Sequence, residues 1–146
     1  MKLYTIGFTK KSAERFFQLL RDHRIGRLID IRLKPGGQLA GFAKQDDLAY
    51  FLRELAGCEY HHVDFLAPSE AILQDYREDR DWERYERRFE ALMDERDILT
   101  RLEPAFFTEK VCCLLCSEDT PDQCHRRLVA ERLARHWPDV EIVHLT

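Results

Sequence analysis

The spacing of apolar and polar positions changes several times along this chain, and each change marks an element. Residues 2–6 form a short apolar run that reads as a strand, closed by Gly7. Ser12 stands where a helix N-cap belongs, with Glu14 in the first turn and Ala13, Phe16, Phe17 and Leu20 at helical spacing behind it. Gly26 separates that helix from a second strand over 27–31, and the proline and glycines of RLKPGGQLAGFAKQ predict a loop. Leu48, Phe51, Leu52 and Leu55 make another helical stripe, stopped by Gly57. A third strand follows over 59–63, and Pro68 and Ser69 open a short helix running to about Tyr76.

Residues 75–96 are mostly charged, but Trp82, Tyr85, Phe89 and Leu92 fall at i, i+3, i+7 and i+10. One apolar stripe on an otherwise solvated helix gives that pattern, so the charges read as its wet face. VCCLLC at 111–116 is apolar at every position, as expected of a strand covered on both sides. Thr120, Pro121 and Gln123 have the spacing of an N-cap, an N1 proline and a capping-box partner. They predict a helix whose buried face carries Leu128, Val129 and Leu133, with Pro138 beyond its end and a last strand over 140–145. Strands alternating with helices predict an α/β fold. The expectation is one domain over 1–146, a mostly parallel five-stranded sheet with helices on both faces, Rossmann-like or flavodoxin-like. No repeat or low-complexity tract divides the chain.

Composition narrows the function. The chain has 146 residues, enough to bury a core without a metal or disulfide staple. It is 45% hydrophobic and 34% charged, too apolar for disorder and too charged for a membrane protein. No apolar run approaches the roughly 20 residues that span a bilayer, and the start is too short for a secretion signal. A cytoplasmic protein with no membrane partner is the expectation. The net charge of −4 gives no general attraction to nucleic acid, which would need a local basic patch.

Candidate chemistry gathers where an open parallel sheet binds its ligands, outside the carboxyl ends of the strands. After the first strand come Gly7, Phe8 and Thr9; the second ends in Asp30, Ile31 and Arg32, followed by Lys34 and Pro35. The buried strand delivers Cys116, Ser117 and Glu118, then a loop into Cys124, His125 and Arg126. The capping box places Cys124 and His125 in a first helical turn, where free amides and the dipole favour an anion and lower a thiol pKa. Cys124 is then a candidate nucleophile or a small buried apolar residue, and Arg126 an anion ligand or a surface charge. Asp30 and Arg32 share a strand face, either as a local ion pair or as acid/base and anion clamp in a pocket. Glu118 is a candidate general base or a plain loop carboxylate.

The chain has five cysteines, four of them within positions 112–124. In an intracellular protein no disulfide is expected among them. Zinc is weighed and set aside. Cys113 and Cys116 point to opposite strand faces, and Cys112 and Cys116 lie about 13 Å apart at ~3.3 Å per residue. Only Cys116, Cys124 and His125 can converge, so no metal and no cofactor is expected.

YTIGFT, DIRLKP and LLCSEDTPDQCHRRLVAERL, in that order, resemble the domain-of-unknown-function family numbered 488. Cys-x-Glu followed by Cys-His-Arg opening a helix is the specific part. The resemblance implies an intracellular α/β domain and carries over to Gly7, Asp30, Arg32, Pro35, Cys116, Glu118, Cys124, His125 and Arg126. Many members have His-Ser after the first-strand glycine, where this chain has Phe8 and Thr9. Many also have a serine shortly after the proline, where Gly36 and Gly37 stand. A base from the first loop is therefore missing, leaving His125 and Glu118. The expected function is a small enzyme acting on an anionic, phosphate-containing or nucleotide-like ligand. The alternative is a non-catalytic nucleotide or nucleic-acid binding module.

Overall fold

The computed structural model describes the whole chain apart from the side chains at 38 and 39. Five strands form one parallel sheet in the order β3-β2-β4-β1-β5. They are β1 Lys2–Gly7, β2 Arg27–Asp30, β3 Glu59–His62, β4 Cys112–Cys116 and β5 Glu141–Leu145. β4 is central and buried at every position, which is why its sequence is apolar throughout.

The two faces are covered by different helices. α1 (Ala13–Asp22) and α2 (Gln45–Phe51) bring Phe16, Phe17, Leu20 and Leu48 onto Ile6, Leu28, Cys113 and Leu115. α3 (Glu70–Asp79), α4 (Trp82–Arg96), the short α5 (Ile98–Arg101) and α6 (Pro104–Thr108), and α7 (His125–His136) are on the other side. There Phe89, Phe107, Leu128 and Leu133 meet Leu3, Ile29, Cys112, Leu114 and Cys116. Cys112 and Cys113 are thus core residues of opposite faces, as strand alternation requires. Among the described residues no helix is long and apolar enough to cross a membrane.

The chain leaves β1 toward α1 on one face and β4 toward α7 on the other. β1 and β4 are neighbours, so the winding reverses between them, and the crevice outside their carboxyl ends is the expected ligand position.

Several local expectations hold. Ser12 caps α1 by accepting from Arg15 N, and Ser69 caps α3 by accepting from Ile72 N. Gly57 ends the second helical stretch in the left-handed region (φ 57°), where glycine is the unstrained choice. Others are corrected. The loop after β2 contains a 3-10 turn over Gln38–Ala43, and α2 passes into a π turn over Leu52–Ala56. The wider turn rotates the stripe, leaving Leu55 47% exposed instead of buried. The charged stretch 75–96 is two helices, because Arg80 adopts φ 53° and Asp81 caps α4 through Arg84 N.

Candidate functional site

The largest correction concerns the start of α7. The helix begins at His125 with Cys124 as N-cap, not at the Thr120 capping box. Residues 117–124 stay in an irregular loop whose carbonyls are claimed from elsewhere. Arg126 Nη1 donates to Glu118 O at 2.5 Å, and its Nη2 donates to Asp119 O at 3.2 Å. Thr9 donates to Ser117 O from its backbone N at 3.1 Å and from Oγ1 at 2.8 Å. Lys11 Nζ reaches Asp119 at 2.7 Å. These long-range bonds satisfy backbone groups that a helix would otherwise have to pair.

The loop also closes on itself covalently. Cys116 Sγ at the end of β4 is bonded to Cys124 Sγ, against the expectation of five free thiols. The end of one strand and the start of its following helix face each other, so two cysteines eight positions apart meet. Cys58, Cys112 and Cys113 are free and buried. Burial pushes the Cys58 thiol up to about 12 and Cys112 up to about 11, and raises Cys113 further above the ordinary range.

Arg126 is fully buried and does not point into solvent as an anion ligand would. Its Nε donates to Thr5 Oγ1 at 3.2 Å, and its Nη1 lies 3.2 Å from Cys116 Sγ and 3.7 Å from Cys124 Sγ. Gly7 does not line the cavity described below. It lies under the Glu118 backbone, and a Cβ there would come within 1.5 Å of Glu118 O.

Asp30 is likewise one layer below the crevice. It is fully buried and accepts from Arg32 Nε at 2.9 Å, Arg32 Nη2 at 2.8 Å, Arg32 N at 3.1 Å and Tyr60 Oη at 2.5 Å. The local ion pair is the arrangement found. Arg32 Nη2 donates further to Ala43 O, and His62 Nε2 donates to Arg32 O. The Arg32 Nη1 amino group is left without a partner among the described residues, at the cavity wall.

The crevice is a cavity of about 510 Å³, within the usual range for small-molecule sites. Cys116, Ser117, Glu118, Cys124 and His125 form its base. Thr9 lines the first-loop side, and Phe8, Tyr76, Trp82 and Tyr85 supply aromatic wall. Trp82 and Tyr85 stack at 4.8 Å between centroids, and Tyr76 Oη is 3.1 Å from Gln123 Oε1. Lys34, Arg77 and Arg80 bring cations to the rim beside Arg32. Lys34 is bridged to Glu70 at 3.0 Å, while Arg80 lies 5.4 Å over the Tyr76 ring. The sequence pattern missed Arg77, Arg80 and the aromatic wall. An aromatic stripe at helical spacing reads as core and the charges around it as solvated. The break at Arg80 ends α3, and residues on both sides of it line the crevice.

His125 stands beside the disulfide, with Nε2 2.7 Å from Ile31 O. A carbonyl only accepts, so Nε2 carries the proton and Nδ1 keeps a free lone pair. Burial above all pushes its pKa down to about 4; the Ile31 bond opposes this, the Arg126 charge adds a smaller push down, and Asp30 a smaller pull up. The ring is neutral at pH 7. As pH falls from ~6.5 toward 4, the unfolded chain takes up this proton before the folded one does. Stability should therefore fall across that window, by up to about 3 kcal/mol. Urea unfolding at pH 7 and pH 4.5 should show a smaller drop for His125→Asn than for wild type; equal drops would refute it.

Cys116, Cys124 and His125 offer donor atoms within 4.8 Å of one another. With the sulfurs bonded to each other they are not thiolate donors, and the trio as it stands is a disulfide beside a neutral imidazole. A family model described as domain of unknown function DUF488 matches residues 12–133, which take in Asp30, Arg32 and the whole segment from Cys116 to Arg126. No curated protein and no solved structure matches the chain.

Proposed function

The chain belongs to the DUF488 family, as the sequence resemblance implied, and from that starting point we propose that it is a small enzyme acting on an anionic, nucleotide-like ligand in the crevice. One observation carries the reading: a single cavity holds partner-seeking guanidinium groups, aromatic faces and a cysteine pair with a neutral histidine. Arg32 Nη1, Arg77 and Arg80 suit a phosphate through charge-assisted hydrogen bonds. Tyr76, Trp82 and Phe8 suit a flat base by stacking. The roles follow the layers. Asp30 holds Arg32 in position. Gly7 and Thr9 let the Ser117–Glu118 backbone close over β1, and Arg126 holds the same loop from below. Glu118, exposed and facing the cavity, is placed to move protons, with His125 Nδ1 as a second acceptor. Cys124 is the nucleophile once its sulfur is free. The cytoplasm, where thiols are kept reduced, is part of this proposal.

The test is binding of adenosine monophosphate, followed by Trp82 fluorescence, with adenosine and inorganic phosphate as separate probes. The whole nucleotide should bind more tightly than either fragment. The Arg77→Ala/Arg80→Ala variant should weaken it by about tenfold or more while leaving the unfolding midpoint unchanged. Saturation unaltered by removing both arginines would end the reading.

One observation favours a non-catalytic module: the bonded sulfurs leave the cavity without a free thiol. Bound nucleotide recovered unchanged from both oxidised and reduced protein would select that alternative.

A further inference from the structure

Arg126 is the largest of the fully buried side chains, and every acceptor around it is neutral. These are the Thr5 hydroxyl, the Glu118 and Asp119 carbonyls and the two bonded sulfurs. A guanidinium does not give up its proton in a protein, and a buried charge without a counter-charge is costly. The charged and titratable groups packed nearby are committed elsewhere. Asp119 is bridged to Lys11 and Asp30 to Arg32, while His144 on β5 is hydrogen-bonded to Thr5. The Glu118 carboxylate is exposed, Cys113 points to the opposite sheet face, and His125 is neutral. The one place where a negative charge can form in contact with Arg126 is the Cys116–Cys124 pair, already 3.2 and 3.7 Å from Nη1.

Two further features point the same way. Cys124 is the N-cap of the 12-residue α7, and no side chain caps that helix. A thiolate there would face its free amides. His125 has a ring nitrogen within 4.8 Å of both sulfurs, and its Nδ1 is unprotonated because Nε2 is on Ile31 O.

We propose that Cys116 and Cys124 form a reversibly reducible pair whose reduced state is one thiolate and one thiol, the thiolate being held by Arg126 at the base of the cavity. The disulfide is then the closed form of the site, and reduction supplies its nucleophile. This deepens the reading above and rests on it only in having the thiolate face the nucleotide-like ligand. The step balances with a small external thiol, RSH, as reductant. Its thiolate attacks one sulfur, the Cys116–Cys124 bond breaks, and the electron pair stays on the other sulfur beside Arg126. A second RSH thiolate attacks the mixed disulfide and leaves as RSSR. The released cysteine takes up a proton. Two RSH are oxidised, the protein gains two electrons, and one proton is left in solvent. Because Arg126 stabilises the reduced state, the equilibrium favours reduction, as for other pairs with a held thiolate.

The experiment uses dithiothreitol to reduce the intact protein, then iodoacetamide alkylation across pH 4–9 with each modified cysteine located by mass spectrometry. Alkylation should fall on the Cys116–Cys124 pair, sparing Cys58, Cys112 and Cys113. Its midpoint should lie at least about two pH units below the ordinary thiol value of ~8.5. Arg126→Gln should move the midpoint up. Should that variant not fold, thiolate absorbance of wild type and of Cys124→Ser and Cys116→Ser gives the same answer. An ordinary thiol midpoint, a pair that resists dithiothreitol in the folded protein, or reduced protein that holds stoichiometric zinc would each overturn the proposal. Adenosine monophosphate binding, measured on both redox forms, separates the two readings. Lost binding with a low midpoint sinks only the ligand, and intact binding with an ordinary midpoint sinks only the thiolate.

Discussion

Gly7→Ala should cost the fold about 4 kcal/mol or more of stability. The new methyl carbon would stand 1.5 Å from Glu118 O, 2.5 Å from Glu118 C and 2.9 Å from Arg126 Nη1. Two of those atoms are backbone, so relief requires the loop after β4 to lift. Lifting it removes the Glu118 acceptor from Arg126, which has no route to water. Overpacking alone costs about 1–3 kcal/mol and sometimes more. A buried donor left unpaired adds about 1–3 kcal/mol, more for a charged group. The expected loss of about 4 kcal/mol or more is a large share of a typical 5–15 kcal/mol total. Denaturant unfolding of the purified variant checks this. A loss below about 1 kcal/mol would mean the loop yields freely and that Gly7 does not set its height.

The second large effect is expected at Asp30. Asp30→Ala removes the acceptor of two Arg32 side-chain bonds and of the Tyr60 hydroxyl, inside a fully buried site. Removing one partner of a buried pair costs about 3–5 kcal/mol because the other charge is stranded. The Asp30→Ala/Arg32→Met double variant should recover part of that loss, since no charge is left behind. Nucleotide binding behaves differently. Both variants should bind weakly, because Arg32 is misplaced in one and absent in the other. A double-mutant cycle on stability alongside a binding titration reads both. Strict additivity on the stability side would show that the pair is not energetically coupled.

The elements were legible in the sequence wherever local patterning and burial agree. Ser12 and Ser69 cap as their spacing predicts, and the all-apolar run of β4 lies in the middle of the sheet. The grouping of Cys116, Cys124 and His125 followed from strand ends and the strand-face argument. What sequence spacing could not carry was the destination of long side chains. Arg126 sits in a stretch that reads as a helix turn with an exposed charge. Its burial depends on Thr5 and Gly7, more than a hundred positions away. The capping-box signal at Thr120 was sound locally and was overridden because Thr9, Lys11 and Arg126 hold the loop's polar groups. Arg77 reaches the crevice from the last turn of α3 and Arg80 from the left-handed residue that ends it, which no hydrophobic period announces.

The central position of β4 has a cost that belongs to the growing chain. β1 pairs through Leu3↔Cys112 and Lys2↔Glu141, and β2 through Arg27↔Cys112, so neither has its inner neighbour until Cys112 has been made. A nascent chain halted before that point exposes two short Leu- and Ile-bearing strands with open edges, the kind of surface that aggregates or recruits chaperones. Pairings this distant also place the protein among slow folders, since each long loop must close before its contacts stabilise anything. Ribosomal pausing ahead of VCCLLC would prolong that vulnerable interval.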